Sequence, residues 1–150
     1  MIAPEAIESA IRGKKLLIDS NIIIYLTEEI EPYFSLSQIL FSIVENGGAK
    51  AVISILSVAE VMQGPLKAGE TEIAEEVQNY LVNFPNCQCL DVTYAALQLT
   101  GKDKTVNWKK LRTVDSLIIA TGLQYGVDLF VSNDLHFKKA LTPEMILSLD

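Results

Sequence analysis

The sequence alternates short, continuous apolar runs with longer segments in which apolar residues recur at helical spacing, and this alternation most limits its possible folds. The runs, as a set, lack the polar–apolar alternation of half-exposed strands, so they are typical of parallel strands covered by helices on both faces. Five runs are predicted to be strands: Leu16-Leu17-Ile18, Ala51-Val52-Ile53, Cys87 to Leu90, Leu129-Phe130-Val131 and Met145-Ile146-Leu147.

The segments between the runs are predicted to be helices, and their ends carry stop and cap signals. The helices are expected from Pro32 to a stop at Gly47-Gly48, over Ser57 to Lys67, from Ile73 to Phe84, from a cap at Asp91 or Thr93 to Gly101, and from near Thr113 to Gly126. Residues 1–14 are an N-terminal extension with a short leading helix. The pattern predicts a single α/β domain over 1–150, with an open, mostly parallel sheet of about five strands and helices on both faces.

Composition excludes several classes of protein. A chain of 150 residues with 49% hydrophobic and 21% charged residues can bury a full core, and its two cysteines cannot form a disulfide scaffold. No apolar run is long enough to cross a bilayer, so we expect a cytoplasmic protein without membrane contact. Twelve basic against 19 acidic residues give a net charge of −7. Binding to nucleic acid would therefore need a local basic patch or a bound metal.

Acidic residues follow three predicted strands or begin the helices beside them. Asp19 follows the first strand, Glu60 lies in about the first turn of the helix after the second, and Asp134 follows the fourth. Asp115 lies in the first turn of the helix that leads to the fourth strand. The carboxyl ends of parallel strands share one edge of the sheet, where ligands gather. The sequence therefore predicts that these four carboxylates converge.

Each acid also has a purely structural interpretation. Asp19 and Asp134 can cap the segments that follow them, and Asp115 can complement a helix dipole with Thr113 as N-cap. Glu60 can be a solvated helical residue. Convergence favours function over this interpretation, because crowded carboxylates repel unless a cation lies among them. Hard oxygen ligands without thiolates or imidazoles suit Mg²⁺ or Mn²⁺.

Four motifs resemble those of a known family in their order and in their positions at strand ends. The motifs are Asp19-Ser20-Asn21 with Ile22 to Tyr25, Ser57-Val58-Ala59-Glu60, Asp115 to Ala120, and Val131-Ser132-Asn133-Asp134-Leu135-His136-Phe137. Together, over about Lys15 to Lys139, the chain resembles the PIN domain family, most closely the toxin ribonucleases of VapBC toxin–antitoxin modules.

This resemblance implies a Mg²⁺- or Mn²⁺-dependent endoribonuclease that leaves a 5′-phosphate and a 3′-hydroxyl. It assigns Asp19, Glu60, Asp115 and Asp134 as the metal-binding and catalytic tetrad. Asn21 and Ser132 match polar positions that help to order the site, and we expect them to contribute to substrate binding. The resemblance further implies an RNA substrate, an antitoxin partner and a homodimer, with the helices around Leu36 to Val44 and Ile73 to Phe84 as candidate contacts.

A local excess of basic residues lies just before Asp115. The segment from Gly101 to Arg112 carries four lysines, Arg112 and Trp108, against a single aspartate. One interpretation is an RNA-binding track in which Trp108 stacks on a base, with Arg112 as the substrate-binding residue nearest to the acids. The other is a solvated connection with Trp108 at the edge of the core.

The remaining chemically active residues favour structural roles. Cys87 and Cys89 lack partner ligands for a zinc site, so we interpret them as small buried residues. His136 is the only histidine, and a metal-dependent nuclease does not require one.

Two other functions compete with the nuclease hypothesis. A phosphatase of the haloacid dehalogenase type needs a second aspartate two residues after the first, where this chain has Asn21. A non-catalytic PIN-like interaction module would be favoured by the loss of one acid, but all four are present.

Overall fold

The computed structural model describes residues 1–150 and contains one five-stranded sheet in which all neighbouring strands are parallel. The strands are β1 (Lys15–Ile18), β2 (Lys50–Ser54), β3 (Cys87–Leu90), β4 (Leu129–Val131) and β5 (Ile146–Leu147). The predicted α/β class and the parallel sheet of about five strands are confirmed.

The strand order is β3-β2-β1-β4-β5, with β1 at the centre. Leu17 pairs with Val52 of β2 on one side and with Phe130 of β4 on the other. The chain builds outward from β1 through β2 to β3, and then returns to place β4 on the opposite side of β1. The strand order therefore reverses between β1 and β4, and a crevice for ligands is expected at the carboxyl ends of these two strands.

Eight helices connect the strands and cover the sheet. They are α1 (Pro4–Ile11), α2 (Ser20–Thr27), α3 (Tyr33–Glu45), α4 (Ile55–Lys67), α5 (Thr71–Val82), α6 (Tyr94–Leu99), α7 (Thr113–Tyr125) and α8 (Leu135–Ala140). The five predicted helices between the strands are confirmed. The sequence indicated α2 and α8 only through the possible capping roles of Asp19 and Asp134.

Two helix starts differ from the sequence prediction. The α4 helix begins at Ile55 rather than after a turn, because the Ser54 hydroxyl at the end of β2 accepts a hydrogen bond from the Leu56 amide at 3.1 Å. As a result, Glu60 lies in the second turn of α4. The N-cap residue of α7 is Arg112 rather than Thr113.

The sheet separates two apolar layers. Leu16 and Ile18 pack in the layer covered by α1 to α5, whereas Leu17 packs in the layer covered by α7 and α8. All three side chains are fully buried, and burial of one such side chain stabilises a fold by about 1.5–3 kcal/mol. Burial on both faces explains why the strands appear in the sequence as continuous apolar runs.

The apolar stripe of α3 belongs to the core, because Leu36, Leu40 and Val44 are buried. These side chains are therefore unavailable for the contact between copies that the sequence suggested. The α5 helix differs, since Ile73 and Tyr80 are exposed there. None of the helices combines the length and apolar character needed to span a membrane.

Both cysteines are free, and Cys87 is buried in the larger apolar layer. Burial raises the pKa of the Cys87 thiol to about 12. The thiol therefore remains neutral and packs as a small apolar group.

The α7 helix lies so close to the sheet that Gly122 has no room for a side chain. A Cβ atom there would lie 2.5 Å from Cε1 of Phe130 and 3.1 Å from Cδ1 of Leu17. Both neighbours belong to the smaller apolar layer. The approach of α7 to β1 and β4 thus depends on glycine, and α7 carries Asp115 in its first turn.

We expect Gly122→Ala to lower the free energy of unfolding by about 1–3 kcal/mol, because overpacking forces α7 away from the sheet. Urea unfolding measures the change. The matched control is Gly64→Ala in α4, where the added Cβ would lie 3.4 Å from the flexible Glu28 carboxylate. This control should change stability by less than about 1 kcal/mol, because the higher helix propensity of alanine is offset by the restriction that Pro65 places on a preceding residue with a Cβ. Equal effects of the two substitutions would contradict the close-packing interpretation.

Candidate active site

Asp19 lies at the carboxyl end of the central strand β1, where it caps α2. Its Oδ1 accepts a hydrogen bond from the Ser20 amide at 2.8 Å, and its Oδ2 accepts one from the Ser132 hydroxyl at 2.7 Å. The carboxylate is buried, and this desolvation raises its pKa to about 6 despite the two hydrogen bonds. The charges of Glu60 and Asp134 add to the shift.

Asp134 lies beyond the end of β4, next to Asp19 across the crevice. Its Oδ1 accepts a hydrogen bond from the His136 amide at 2.7 Å and so caps α8, while its own amide donates to the Ser132 hydroxyl at 3.0 Å. Ser132 is fully buried between the two aspartates. One hydroxyl therefore links the loops that follow the two neighbouring strands.

Asp115 comes from the first turn of α7 and is buried. Its Oδ2 accepts hydrogen bonds from the Arg112 amide at 3.2 Å and from Arg112 Nε at 2.8 Å. Its Oδ1 accepts one from Arg112 Nη2 at 3.1 Å, so the guanidinium holds both oxygens of the carboxylate. Asp115 thus fixes the start of α7 and pairs with the Arg112 guanidinium at the same time.

Glu60, on α4, is the most exposed of the four acids. Desolvation raises its pKa, and the charge of Asp115 raises it further, whereas Arg112 acts in the opposite direction. The Ser20 side chain also favours the ionised form of Glu60. These mutual influences indicate that all four predicted acids lie together at the carboxyl edge of the sheet, on β1, α4, α7 and the loop after β4. They are called the acid cluster below.

Arg112 joins two members of the acid cluster. The same Nη2 atom that contacts Asp115 lies 3.2 Å from Oδ2 of Asp134. No three carboxylate, imidazole or thiolate groups of the chain converge closely enough on one point to hold a metal ion. The guanidinium instead occupies the position between Asp115 and Asp134.

The polar residues next to the acids order the cluster. The Asn21 side-chain amide donates to Asp19 Oδ2 at 3.4 Å and to the Ser132 hydroxyl at 3.3 Å. Because Ser132 is fully buried, its hydroxyl cannot reach a substrate, and the role that its geometry supports is to orient Asp19. Asn21 contacts the same carboxylate and lies beside the crevice.

Sequence reasoning missed Asn133. Its Oδ1 accepts hydrogen bonds from the Leu149 amide at 2.7 Å and from the Ser148 hydroxyl at 3.1 Å, which ties the C-terminal segment to the loop after β4. Its side-chain amide donates to the Tyr25 hydroxyl of α2 at 3.3 Å. The only available signal was its position between Ser132 and Asp134.

The basic segment before Arg112 is folded against the smaller apolar layer. Trp108 packs on this layer, and its Nε1 donates to the Asp103 carbonyl at 2.8 Å, which favours the core-edge interpretation over base stacking. His136 Nδ1 lies 3.1 Å from the Lys110 carbonyl and so ties α8 to the segment. The side chains of Lys109 and Lys110 are exposed on the segment that leads to Arg112.

Comparison with known proteins places this arrangement in a family context. A sequence model described as the PIN domain matches residues 16–141. The comparison with curated protein sequences gave no match.

Solved structures share the fold at low sequence identity. A structure of VapBC2 from Rickettsia felis bound to a promoter DNA fragment is 18% identical, with a TM-score of 0.64 over 91% of this chain and 99% of that chain. A toxin–antitoxin complex from Klebsiella pneumoniae is 18% identical, with a TM-score of 0.60 over 88% and 95%. VapC20 from Mycobacterium tuberculosis, described as a toxin that cleaves the sarcin–ricin loop, is 12% identical, with a TM-score of 0.61 over 83% and 93%.

The buried Asp19 carboxylate makes stability depend on pH. Its pKa rises from 3.8 to about 6 on folding, so the folded state favours the neutral form. The neutral group is fully accommodated below pH 4, and stability is lost as the pH rises through 6. In chelator, the unfolding free energy of Asp19→Asn relative to wild type should therefore increase by up to about 3 kcal/mol between pH 4 and pH 8, at about 1.4 kcal/mol per pKa unit.

Urea unfolding at a series of pH values measures this difference. Hydrogen bonds that the asparagine side chain fails to make are missing at every pH. Only the change of the stability difference with pH therefore reports the buried charge. The control Asp91→Asn removes an exposed carboxylate that follows β3 at the same edge of the sheet. A difference for Asp19→Asn that does not change with pH would contradict the burial of an ionisable group at this position.

Proposed function

The chain belongs to the PIN domain family, and from this premise we propose that it is a metal-dependent endoribonuclease that cleaves RNA at the acid cluster. The observation that carries the proposal is the meeting of four carboxylates from four separate elements at the reversal point of a parallel sheet. Repulsion among these groups opposes folding, so their convergence is better explained by a function than by three independent helix starts and a solvated glutamate.

The donor set of the cluster fits a hard divalent cation. The four groups are all carboxylates, and their surroundings contain hydroxyl and amide groups rather than thiolates. In the proposal, Asp19, Glu60, Asp115 and Asp134 hold Mg²⁺ or Mn²⁺, and the exposed Glu60 side chain can move toward the ion while the capped aspartates stay in place. A bound divalent ion would lower the pKa of a coordinated water and neutralise charge on the scissile phosphate.

The residues of the chain supply positioning. Ser132 and Asn21 both donate hydrogen bonds to Oδ2 of Asp19, and these bonds fix the orientation of the carboxylate. Caps by Asp19 and Asp134 fix the starts of α2 and α8, and the Ser132 hydroxyl links the loops after β1 and β4. Such pre-set carboxylates need little reorganisation when a charged substrate arrives.

The form of the surface favours a polymeric substrate. Five surface cavities of the protein are lined by residues outside the acid cluster, so none of these five encloses the acids as a pocket for a small phosphate ester would. The exposed Lys109 and Lys110, with Arg112, provide a local basic edge in an acidic protein. In the proposal, this edge binds the RNA backbone, and Arg112 contacts the phosphate beside the metal.

An antitoxin partner, a homodimer and a cytoplasmic location complete the proposal. Similar solved structures include toxin–antitoxin complexes, which supports a partner that masks the acid cluster. Electrostatic complementarity would favour a basic side chain of that partner. The exposed apolar residues of α5 offer a surface for contact between two copies.

The phosphatase hypothesis has no support in the geometry of the site. Asn21 occupies the position of the required second aspartate, and its amide donates a hydrogen bond to Asp19. An amide cannot act as the general acid–base carboxylate of such an enzyme. The non-catalytic interaction module remains as the alternative outcome of the experiment below.

We expect the wild-type protein to cleave RNA with Mg²⁺ or Mn²⁺ and to lose cleavage in chelator. Asp115→Asn should reduce the rate at least about 100-fold, because it removes a proposed metal ligand. An asparagine can still accept the hydrogen bond from the Arg112 amide, so the start of α7 should persist. Cleavage of single-stranded and structured RNAs, with a thermal melt of each variant, measures both effects.

The matched control for this experiment is Asp91→Asn, which removes an exposed carboxylate at the same sheet edge but outside the acid cluster. It should retain cleavage within about threefold, as expected for a surface change of less than about 1 kcal/mol. A folded wild-type protein that binds metal but cleaves none of the RNAs would contradict the proposed activity and favour the interaction module.

A further inference from the structure

Arg112 is the one basic side chain of the protein that forms ion pairs with the acid cluster. Its guanidinium contacts Asp115 at 2.8 and 3.1 Å and Asp134 at 3.2 Å. The contacted oxygens are the same ones that a cation between Asp115 and Asp134 would use. The guanidinium and a metal ion therefore cannot both occupy this position.

We propose that Arg112 is a displaceable internal counter-ion, which competes with a divalent cation for the oxygens of Asp115 and Asp134 and leaves them when the cation binds. The inference rests on the proposed metal site. It adds that the metal-free and metal-bound states differ in the position of one identified side chain.

The two aspartates of this ion pair are held more firmly than Arg112. The Asp115 side chain is 7% exposed and that of Asp134 is 23% exposed, whereas the Arg112 side chain is 61% exposed. Backbone amides hold both aspartates, because Asp115 accepts from the Arg112 amide and Asp134 from the His136 amide. The guanidinium has no partner other than these two carboxylates.

This asymmetry decides which group moves. Moving either aspartate would break a helix cap, while moving Arg112 returns an exposed side chain to water and leaves the buried Asp115 charge to the cation that replaces it. The Arg112 backbone stays in place as the N-cap residue of α7. The released guanidinium therefore remains next to the cluster, within reach of a bound phosphate.

The internal counter-ion also accounts for the positions of the carboxylates. Without it, Asp115 and Asp134 would repel each other and Glu60 across an open surface. With it, one positive charge is placed between two of the four negative charges. The cluster is in this way held together before any metal arrives, which a set of bare carboxylates would resist.

The test is Mn²⁺ binding to the full-length protein by titration calorimetry, with Arg112→Gln as the variant. Removal of the competing guanidinium should tighten binding about fivefold or more, a change of about 1 kcal/mol. The matched control is Lys110→Gln, which removes the same charge from an exposed side chain of the same segment that pairs with no acid. This control should tighten binding less than about twofold, because only screened, through-space repulsion is relieved.

A second measurement follows the guanidinium directly. The ¹H–¹⁵N signal of Arg112 Nε, assigned by its loss in Arg112→Gln, should be protected from exchange in chelator because Nε donates to Asp115. At saturating Mg²⁺ it should move to the position of a free arginine and exchange faster.

Three results would overturn the inference alone. Equal tightening in Arg112→Gln and Lys110→Gln would reduce the effect to general charge, and weaker binding in Arg112→Gln would mean that the guanidinium supports the metal site. An Nε signal that stays protected at saturating Mg²⁺ would mean that Arg112 does not leave. In each of these cases metal binding itself is observed, so the proposed function would stand. No metal binding to either protein would contradict the metal site and the inference together.

Discussion

The mutual repulsion of four carboxylates at one edge of the sheet is the constraint that shapes the rest of this structure. Asp19 is buried deeply enough that its pKa rises to about 6, and the pKa of Glu60 is raised by its own desolvation and then by its acidic neighbours. Such a cluster forms only if the fold holds each group more firmly than repulsion separates them. The hydrogen bonds around Asp19, Asp115 and Asp134 provide this, since each of the three carboxylates accepts a backbone amide at a helix start.

The structural and functional interpretations of these acids are therefore not alternatives. A carboxylate has two oxygens, and in Asp19 and Asp134 one oxygen caps a helix. The other oxygen accepts hydrogen bonds from Ser132 and Asn21 in Asp19, and from Arg112 in Asp134. Capping positions each group to within a hydrogen-bond length, and the dipoles of the capped helices favour its negative charge. The same local interactions that make each acid look ordinary in the sequence make the cluster possible.

Much of the fold follows from local sequence signals, because its strands are buried on both faces and its helices have clear ends. The run Leu16-Leu17-Ile18 forms β1, as predicted. The predicted stop at Gly126 is the left-handed C-cap of α7, with a φ of 75°. The start of α4 was missed because the Ser54 cap joins strand to helix without a turn. The role of Trp108 was left open because its apolar partners come from α7 and α8, which only the tertiary structure brings to it.

The candidate site, too, is predictable from the sequence only in part. Parallel strands carry their carboxyl ends to one edge, so the meeting of Asp19 and Asp134 is predictable once the strands are recognised. The position of Arg112 is not, because its contact with Asp134 spans 22 residues and depends on how closely α7 approaches β4. That approach is permitted by Gly122, because a Cβ atom there would lie too close to Phe130 and Leu17. A glycine toward the end of α7 thus contributes to the packing that brings the start of the helix to Asp134, and a local sequence pattern has no signal for a link of this kind.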